Sequence, residues 1–221
     1  GGGVGGGRQP EGGLPFEREQ ILAWGLQLAS AVRYLHVQDT PLLHRNIQPR
    51  SCVLDASGSL KLGDFGESVF LFDEFERGVD QQGQKLYRLY GNRGHARYSA
   101  PETRLASDKD KELEGRSSKL VIYNKSADVF SLAMTFYFLA TGKEPYHMES
   151  SEVVVKMISA GVRPSLSHFL IDAINGTDGD RFSQILSMCW DAQPHQRLAS
   201  KDVLQALSVM VPERVVPGIV Q

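Results

Sequence analysis

The chain has 221 residues, of which 41% are hydrophobic and 23% charged, and its formal net charge is −2. This length and balance suit one globular domain with a buried core, and the near-neutral charge gives no electrostatic reason to expect nucleic acid or an anionic membrane as a partner. The two cysteines, Cys52 and Cys189, are too few for a disulfide framework, which predicts an intracellular, cytoplasmic setting.

The first part of the chain predicts no folded structure. Residues 1–14 are rich in glycine, which is typical of a flexible linker. The sequence starts without methionine and shows no apolar signal-peptide core, so we expect a fragment of a longer protein. The longest strongly apolar run, at 129–140, is shorter than the roughly 20 residues that span a bilayer, so membrane insertion is not expected.

Apolar residues recur at helical spacing in several segments of the chain. This pattern predicts five helices, at 16–36, 126–140, 151–160, 181–190 and 200–210. The second is apolar around nearly its whole circumference, so we expect it to be the buried central helix. Ser126 and Ser200 are predicted to cap the helices that begin at these residues, and Gly142 is predicted to end the second helix.

Strand signals are weaker than helix signals. Val53 and Leu54 precede turn residues at 55–58, and an apolar alternation follows at 60–62, which predicts a small β-hairpin. Residues 67–97 are polar and lack a sustained period, which is typical of a functional or mobile segment. The predicted fold class is therefore mainly α with one small β-hairpin.

Five short motifs follow one another along the chain. They are HRNIQPRS at 44–51, DFG at 64–66, GHARYSAPE at 94–102, DVFS at 128–131, and a Cys-Trp pair with Pro194 and Arg197 near the end. Their order and spacing resemble the C-terminal helical lobe of a protein kinase, a fold that is α+β overall. The last motif is similar to the tyrosine-kinase and tyrosine-kinase-like branches. The resemblance implies a kinase-like domain at 15–211, an activation segment at 64–102 and a C-terminal tail at 212–221.

The resemblance assigns roles to the matching residues. Asp64 resembles the carboxylate that holds magnesium on the nucleotide phosphates. Phe65 resembles the hydrophobic anchor that follows it. Glu102 and Arg197 resemble a structural ion pair, and Asp128 resembles the aspartate that hydrogen-bonds the backbone of the catalytic loop.

Four positions depart from the family pattern. Asn46 stands where the resemblance places a catalytic aspartate, and a carboxamide has no usable basicity near neutral pH. Gln48 replaces the lysine of serine/threonine kinases, Ser51 replaces an asparagine that binds the second metal ion, and His95 replaces a threonine that bonds the catalytic aspartate. Loss of the chemical groups with retention of the structural ones predicts a pseudokinase.

The sequence has no lysine before Lys61, which implies that the kinase small lobe is absent. ATP and magnesium are therefore expected to bind weakly or not at all. The predicted function is a kinase-like binding or allosteric module in signalling, with protein partners that the sequence does not identify. The alternative is a divergent but active ATP-dependent serine/threonine or tyrosine kinase, which Arg45 and Asp64 favour.

The activation segment offers candidate regulatory residues. Arg45 matches the arginine that receives a phosphate from this segment in many kinases. Tyr87, Tyr90 and Ser99 are candidate phosphate acceptors, with plain surface residues as the alternative. The charged insert at 107–119 predicts either a solvated loop or a docking element.

Overall fold

The computed structural model describes residues 16–91, 93–104, 120–166 and 177–211. The predicted linker, the charged insert and the C-terminal tail lie outside these ranges. Within them, no helix combines the length and the apolar character that crossing a membrane requires.

All five predicted helices are confirmed. They are α1 (Arg18–His36), α2 (Ser126–Thr141), α3 (Ser151–Ser159), α4 (Thr177–Cys189) and α5 (Ser200–Ser208). α4 begins at residue 177, four residues before its predicted start at 181.

The core forms around α2, as its apolar circumference predicts. Phe130, Leu132, Met134 and Phe136 of this helix are completely buried. α1 packs against α2 and α5, and α4 packs against α2. Burial of each large apolar side chain contributes on the order of 2–3 kcal/mol, so α2 is the main support for the loops that carry the site.

The strands of the described residues form three antiparallel sheets. β1 (Leu42–Leu43) pairs with β4 (Val69–Phe70), and β2 (Cys52–Leu54) pairs with β3 (Leu60–Leu62) as the predicted hairpin. The third sheet has the order β5 (Glu76–Val79), β6 (Lys85–Tyr90) and β7 (Leu120–Tyr123).

The predicted fold class, mainly α with one small hairpin, is therefore wrong in its β content. β6 alternates along its length, because Tyr87 and Leu89 are buried while Arg88 and Tyr90 are exposed. Tyr87 pairs with Tyr123, far away in sequence. Such pairing depends on packing between distant segments, so the six-residue alternation of β6 carried too little local signal to reveal it.

Both predicted serine caps are wrong, whereas the predicted helix end is confirmed. Ser126 is the first residue of α2, and its backbone N–H donates to Asn124 Oδ1 at 3.0 Å. Ser200 is the first residue of α5, and its hydroxyl lies 3.1 Å from Nδ1 of His36. Gly142 ends α2 with a φ of 67°. Neither serine hydroxyl therefore caps its own helix.

Candidate functional site

The loop after β1 is held by one buried carboxylate on α2. Asp128 accepts hydrogen bonds from the backbone N–H of His44 at 2.8 Å and of Arg45 at 2.9 Å. Its other partner is Nε2 of His36, at 3.0 Å. The predicted contact between Asp128 and the catalytic loop is confirmed. Sequence reasoning missed His36, although it lies on the buried face of α1.

The surroundings of Asp128 lower the pKa of its carboxyl group. Burial alone raises the pKa of this carboxyl, but the hydrogen bond and charge of His36 and the two backbone N–H groups outweigh burial. The pKa of Asp128 in the folded state therefore lies below its ordinary value. A carboxyl of this kind stabilises the fold above its unfolded pKa of about 3.9, and the contribution disappears as pH falls through the folded value.

We expect the free energy of unfolding to decrease as pH falls below about 4, with Asp128 contributing up to about 1.4 kcal/mol per pH unit. Urea unfolding followed by circular dichroism at stepwise lower pH measures this slope. Asp128→Asn has no titrating carboxyl at this position and should show a shallower decrease. Equal slopes in the two proteins would rule out Asp128 as a source of the acid sensitivity.

With one exception, the residues that depart from the family pattern lie together with Asp64 in one hydrogen-bonded network. Gln48 Nε2 donates to Asn46 Oδ1 at 2.8 Å, and Asn46 Nδ2 donates to Asp64 Oδ2 at 2.8 Å. Ser51 Oγ donates to the backbone oxygen of Asn46 at 2.6 Å and lies 3.5 Å from Asp64 Oδ2. The exception is His95, which makes no side-chain bond to Asn46 within the described ranges.

This network uses both ends of the Asn46 amide. Its oxygen accepts from Gln48, and its nitrogen donates to the Asp64 carboxylate. An aspartate at position 46 has no N–H to donate, so it would place a second negative charge beside Asp64 and disfavour ionisation of both carboxyls. The amide thus holds Asp64 in place without a cation and supplies no base.

Magnesium takes near-octahedral oxygen ligands and usually needs one or two carboxylates together with phosphate oxygens and water. Asp64 is exposed and supplies one carboxylate, but its Oδ2 atom already accepts from Asn46. Ser51 offers a neutral hydroxyl that is committed as a donor. No group of three or more His, Cys, Asp or Glu side chains in the described part of the chain could hold a metal ion. This network therefore offers magnesium a single carboxylate, Asp64, and no all-protein cage.

The backbone at the site has a constrained geometry. Arg45 and Asp64 have φ angles of 62° and 60°, in the left-handed region that costs roughly 1–2 kcal/mol for a residue with a side chain. Gly94 packs directly against this loop with a φ of 70°. A Cβ atom at Gly94 would lie closer than 3.0 Å to the carbonyl oxygen of Arg45, so only glycine fits there without a shift of backbone.

The Arg45 side chain donates hydrogen bonds to the activation segment. Its Nε donates to the backbone oxygen of Glu67 at 2.5 Å. The Glu67 side chain lies 3.3 Å from Arg93 Nη1, in an ion pair that sequence reasoning missed. Because the segment carries several other charged residues, nothing in its local pattern singled out Glu67. The Arg45 side chain thus contacts the backbone of the segment.

The three candidate phosphate acceptors differ in exposure. Tyr90 is 53% exposed, whereas Tyr87 and Ser99 are buried. The Ser99 hydroxyl also donates to the backbone oxygen of His95 at 2.9 Å and accepts from Arg104 Nη2 at 2.7 Å. Modification at Tyr87 or Ser99 therefore requires local opening, while Tyr90 is open to solvent.

The predicted structural ion pair is confirmed. Arg197 donates to both carboxylate oxygens of Glu102, at 2.6 and 2.9 Å. Its guanidinium also donates to the backbone oxygen of Ser126 and lies 5.0 Å from the centre of the Phe130 ring. The pair joins the end of the activation segment to the start of α2 and to the loop before α5.

The phenylalanine of the DFG motif contacts the catalytic loop as well. Phe65 is 46% exposed, and its ring meets the His44 ring edge-on at 4.9 Å between centroids. Nε2 of His44 donates to the backbone oxygen of Gly63 at 2.8 Å. Because a carbonyl oxygen accepts, the proton lies on Nε2, and Nδ1 accepts from the backbone N–H of Asn46 at 3.3 Å.

Comparison with known proteins agrees with this geometry. The family model of the protein kinase domain matches residues 10–207. The serine/threonine-protein kinase VIK of Arabidopsis thaliana is 30% identical over 186 residues, which cover 83% of this chain and 36% of that protein. A putative mitogen-activated protein kinase kinase kinase 7-like protein of Drosophila melanogaster is 28% identical over 190 residues, which cover 84% of this chain and 40% of that protein.

A third relative, the serine/threonine-protein kinase mos of Gallus gallus, is 24% identical over 207 residues, or 92% of this chain and 52% of that protein. The chain thus spans about a third to a half of the length of these relatives.

The match also corrects the prediction that the chain is the helical lobe alone. The family model covers residues 10–207, nearly the whole chain, and the β5–β6–β7 sheet adds a β-region that the prediction lacked. The prediction that the small lobe is absent is therefore wrong. It depended on the absence of lysine before Lys61, which is a statement about one residue type and does not define a lobe. The anchored loop, the buried ion pair and the extent of the match lead to one conclusion: the chain belongs to the protein kinase domain family.

Proposed function

We propose that this kinase domain is a pseudokinase, a binding and allosteric module in signalling that does not transfer phosphate. The observation that carries the proposal is the chain of hydrogen bonds from Gln48 through Asn46 to Asp64. Under this proposal Asn46 replaces the catalytic base by an amide, and one oxygen of Asp64, the expected metal-binding carboxylate, is satisfied from within the protein.

The expected loss of rate follows from the groups that are missing. A general base contributes about 10²- to 10⁴-fold to a rate. Phosphoryl transfer depends mainly on positioning and on stabilisation of negative charge by metal ions and cations, so Asn46 alone does not abolish it. Gln48 carries no charge and Ser51 is a weak metal ligand. The catalytic base and the lysine charge are therefore missing, and the ligand of the second metal ion is weaker. ATP and magnesium are therefore expected to bind weakly or not at all.

The structural groups support a module that acts through its surface. Asp128 still anchors the loop, and Glu102 still pairs with Arg197. These contacts join the loop after β1 to α2, and the activation segment to the loop before α5, without contributing to phosphate chemistry. We infer protein partners, with no role for nucleic acid or membrane insertion, and an intracellular site of action. We also propose that the domain belongs to the tyrosine-kinase or tyrosine-kinase-like branch, from the Cys189-Trp190 pair followed by Pro194 and Arg197.

The hydrogen-bond network predicts how the domain responds to magnesium. Asn46→Asp places two carboxylates within hydrogen-bonding distance, so the free energy of unfolding should fall by about 1–3 kcal/mol in the absence of divalent cations. Millimolar magnesium should restore most of this loss, because the cation neutralises the pair. The wild-type domain should gain little from magnesium, since Asn46 already satisfies Asp64. Thermal unfolding with and without magnesium measures both effects.

Gln205→Glu provides the control, because it adds the same charge at an exposed position on α5. Its stability should respond to magnesium no more than that of the wild type. If magnesium stabilised the wild type as much as it stabilised Asn46→Asp, the amide would not be occupying the metal carboxylate.

The alternative is a divergent, active serine/threonine or tyrosine kinase. Asp64 remains a carboxylate, Arg45 remains next to the activation segment, and the relatives named above are called kinases. The two proposals differ in one outcome: an active kinase incorporates phosphate from ATP into a substrate, and this incorporation disappears in Asp64→Ala.

A further inference from the structure

A cavity of about 340 Å³ is lined by other residues than those of the Asn46–Asp64 hydrogen-bonded network. Its walls come from the end of α1, the first turns of α2 and α5, and the turn that joins β5 to β6. Nothing in the proposed function uses this cavity.

Two helices begin at its wall. α2 has 16 residues and contributes Ser126, preceded by Lys125, and α5 has 9 residues and contributes Ser200 and Lys201. The start of a helix carries the positive end of its dipole and unbonded N–H groups. α5 lacks a side-chain cap, and the backbone N–H groups of Ser200 and Lys201 have no acceptor within the described residues. The first N–H groups of α2 already donate to Asn124 and Lys125, so the free N–H groups at this space are those of α5.

Ser126, which lines the same space, carries an unsatisfied hydroxyl. Ser126 is only 4% exposed, and its Oγ atom has no hydrogen-bond partner in the part of the chain that the structure describes. A buried polar group without a partner costs about 1–3 kcal/mol. The unmet hydroxyl is an independent sign that a hydrogen-bonding ligand belongs in the cavity.

Two lysines complete the lining. Neither Lys125 nor Lys201 has a carboxylate within ion-pair distance among the described residues. In the part of the chain that the structure describes, Lys125 Nζ donates only to the backbone oxygen of His36, at 3.1 Å, and burial lowers the pKa of its ammonium group. A desolvated cation without a counter-ion favours the arrival of an anion.

The nearby carboxylates are engaged or do not line the cavity. Asp128 already accepts from His36 and from two backbone N–H groups. Asp80 accepts from the backbone N–H groups of Gln82 and Gln84 in the β5–β6 turn. Asp202 is exposed and does not line the cavity. No acidic side chain of the described residues therefore serves as the partner of the two lysines.

We propose that this cavity binds a phosphate group, held by Lys125, Lys201, the Ser126 hydroxyl and the free N–H groups at the start of α5. Helix starts combined with lysine are a common means of binding phosphate. The volume exceeds that of a free phosphate ion, so it also admits a phosphorylated side chain. The site is separate from the Asn46–Asp64 network, and the proposal holds whether or not the domain transfers phosphate.

The test uses the whole chain and two probes at a constant pH near neutrality and constant ionic strength. One probe is inorganic phosphate, and the other is a short capped peptide that contains one phosphoserine, with the unphosphorylated peptide as its control. Isothermal titration calorimetry gives the Kd, and thermal unfolding gives the accompanying stabilisation. Saturable binding of either phosphate probe is expected, and the tighter one identifies the source of the phosphate.

Three variants locate the binding. Lys125→Gln and Lys201→Gln should each raise the Kd about tenfold, because each removes a charge-assisted hydrogen bond. Ser126→Ala should raise it about threefold without destabilising the free protein, because it removes a hydroxyl that has no partner. Lys156→Gln makes the same charge change on the exposed surface of α3 and should leave the Kd unchanged. The proposal is overturned if neither probe gives saturable binding, or if Lys156→Gln weakens binding as much as Lys125→Gln.

Discussion

Replacing Glu102 by alanine should lower the free energy of unfolding by about 3–5 kcal/mol, the usual result of removing one member of a buried ion pair. The Arg197 side chain has no exposure to solvent and donates to both oxygens of Glu102. Without that carboxylate, its charge would remain buried against Phe130 and the backbone oxygen of Ser126. For a domain of this size, a change of about 3 kcal/mol corresponds to a fall in Tm of roughly 6–12 °C.

Urea unfolding of Glu102→Ala and wild type measures the loss. Glu74→Ala is the matched control, because Glu74 is exposed and its side chain makes no ion pair within the described residues. It should change stability by less than about 0.5 kcal/mol. A loss below about 1 kcal/mol in Glu102→Ala would show that the pair is replaced by water or another acceptor, contrary to the geometry.

The second large effect is expected at Gly94. Gly94→Ala should lower the free energy of unfolding by about 2–4 kcal/mol, which combines the cost of a left-handed backbone with the cost of overpacking. The new methyl group would press on the carbonyl oxygen of Arg45 and the side-chain oxygen of Asn46. The same pressure should disturb the Asn46–Asp64 hydrogen bond.

Gly83→Ala separates the two costs. Gly83 has a φ of 73°, close to the 70° of Gly94, but no atom lies within 4 Å of the position that the alanine methyl group would occupy. It should therefore lose only about 1 kcal/mol, the backbone part of the effect. Equal losses in the two variants would mean that the contact with the catalytic loop is not tight.

The helices and their support of the site could be predicted from the sequence because their signals are local. The apolar circumference of α2 predicted its burial, and Gly142 predicted its end. The order of the motifs placed Asn46, Gln48, Ser51 and Asp64 together, as the hydrogen bonds show. The helical spacing of apolar residues and the order of the motifs were sufficient to predict these features.

Other features depend on contacts that no local pattern contains. β6 pairs with β7 across the charged insert, so its strand character depends on a partner far along the chain. The direction of the Asn46 amide follows from having Gln48 on one side and Asp64 on the other. The serines at the starts of α2 and α5 matched the cap pattern, but the Ser126 hydroxyl has no partner among the described residues and the Ser200 hydroxyl lies beside His36. The sequence could name these residues, and only the packing could show what they contact.

The most direct measurement of the central claim is phosphate transfer by the purified domain. The chain, expressed where no other kinase copurifies, is incubated with labelled ATP, magnesium and a mixed peptide substrate containing serine, threonine and tyrosine. Asp64→Ala defines the background. We expect wild type and Asp64→Ala to incorporate the same trace of label. Incorporation by the wild type that is well above this background, and that disappears in Asp64→Ala, would contradict the assignment as a pseudokinase.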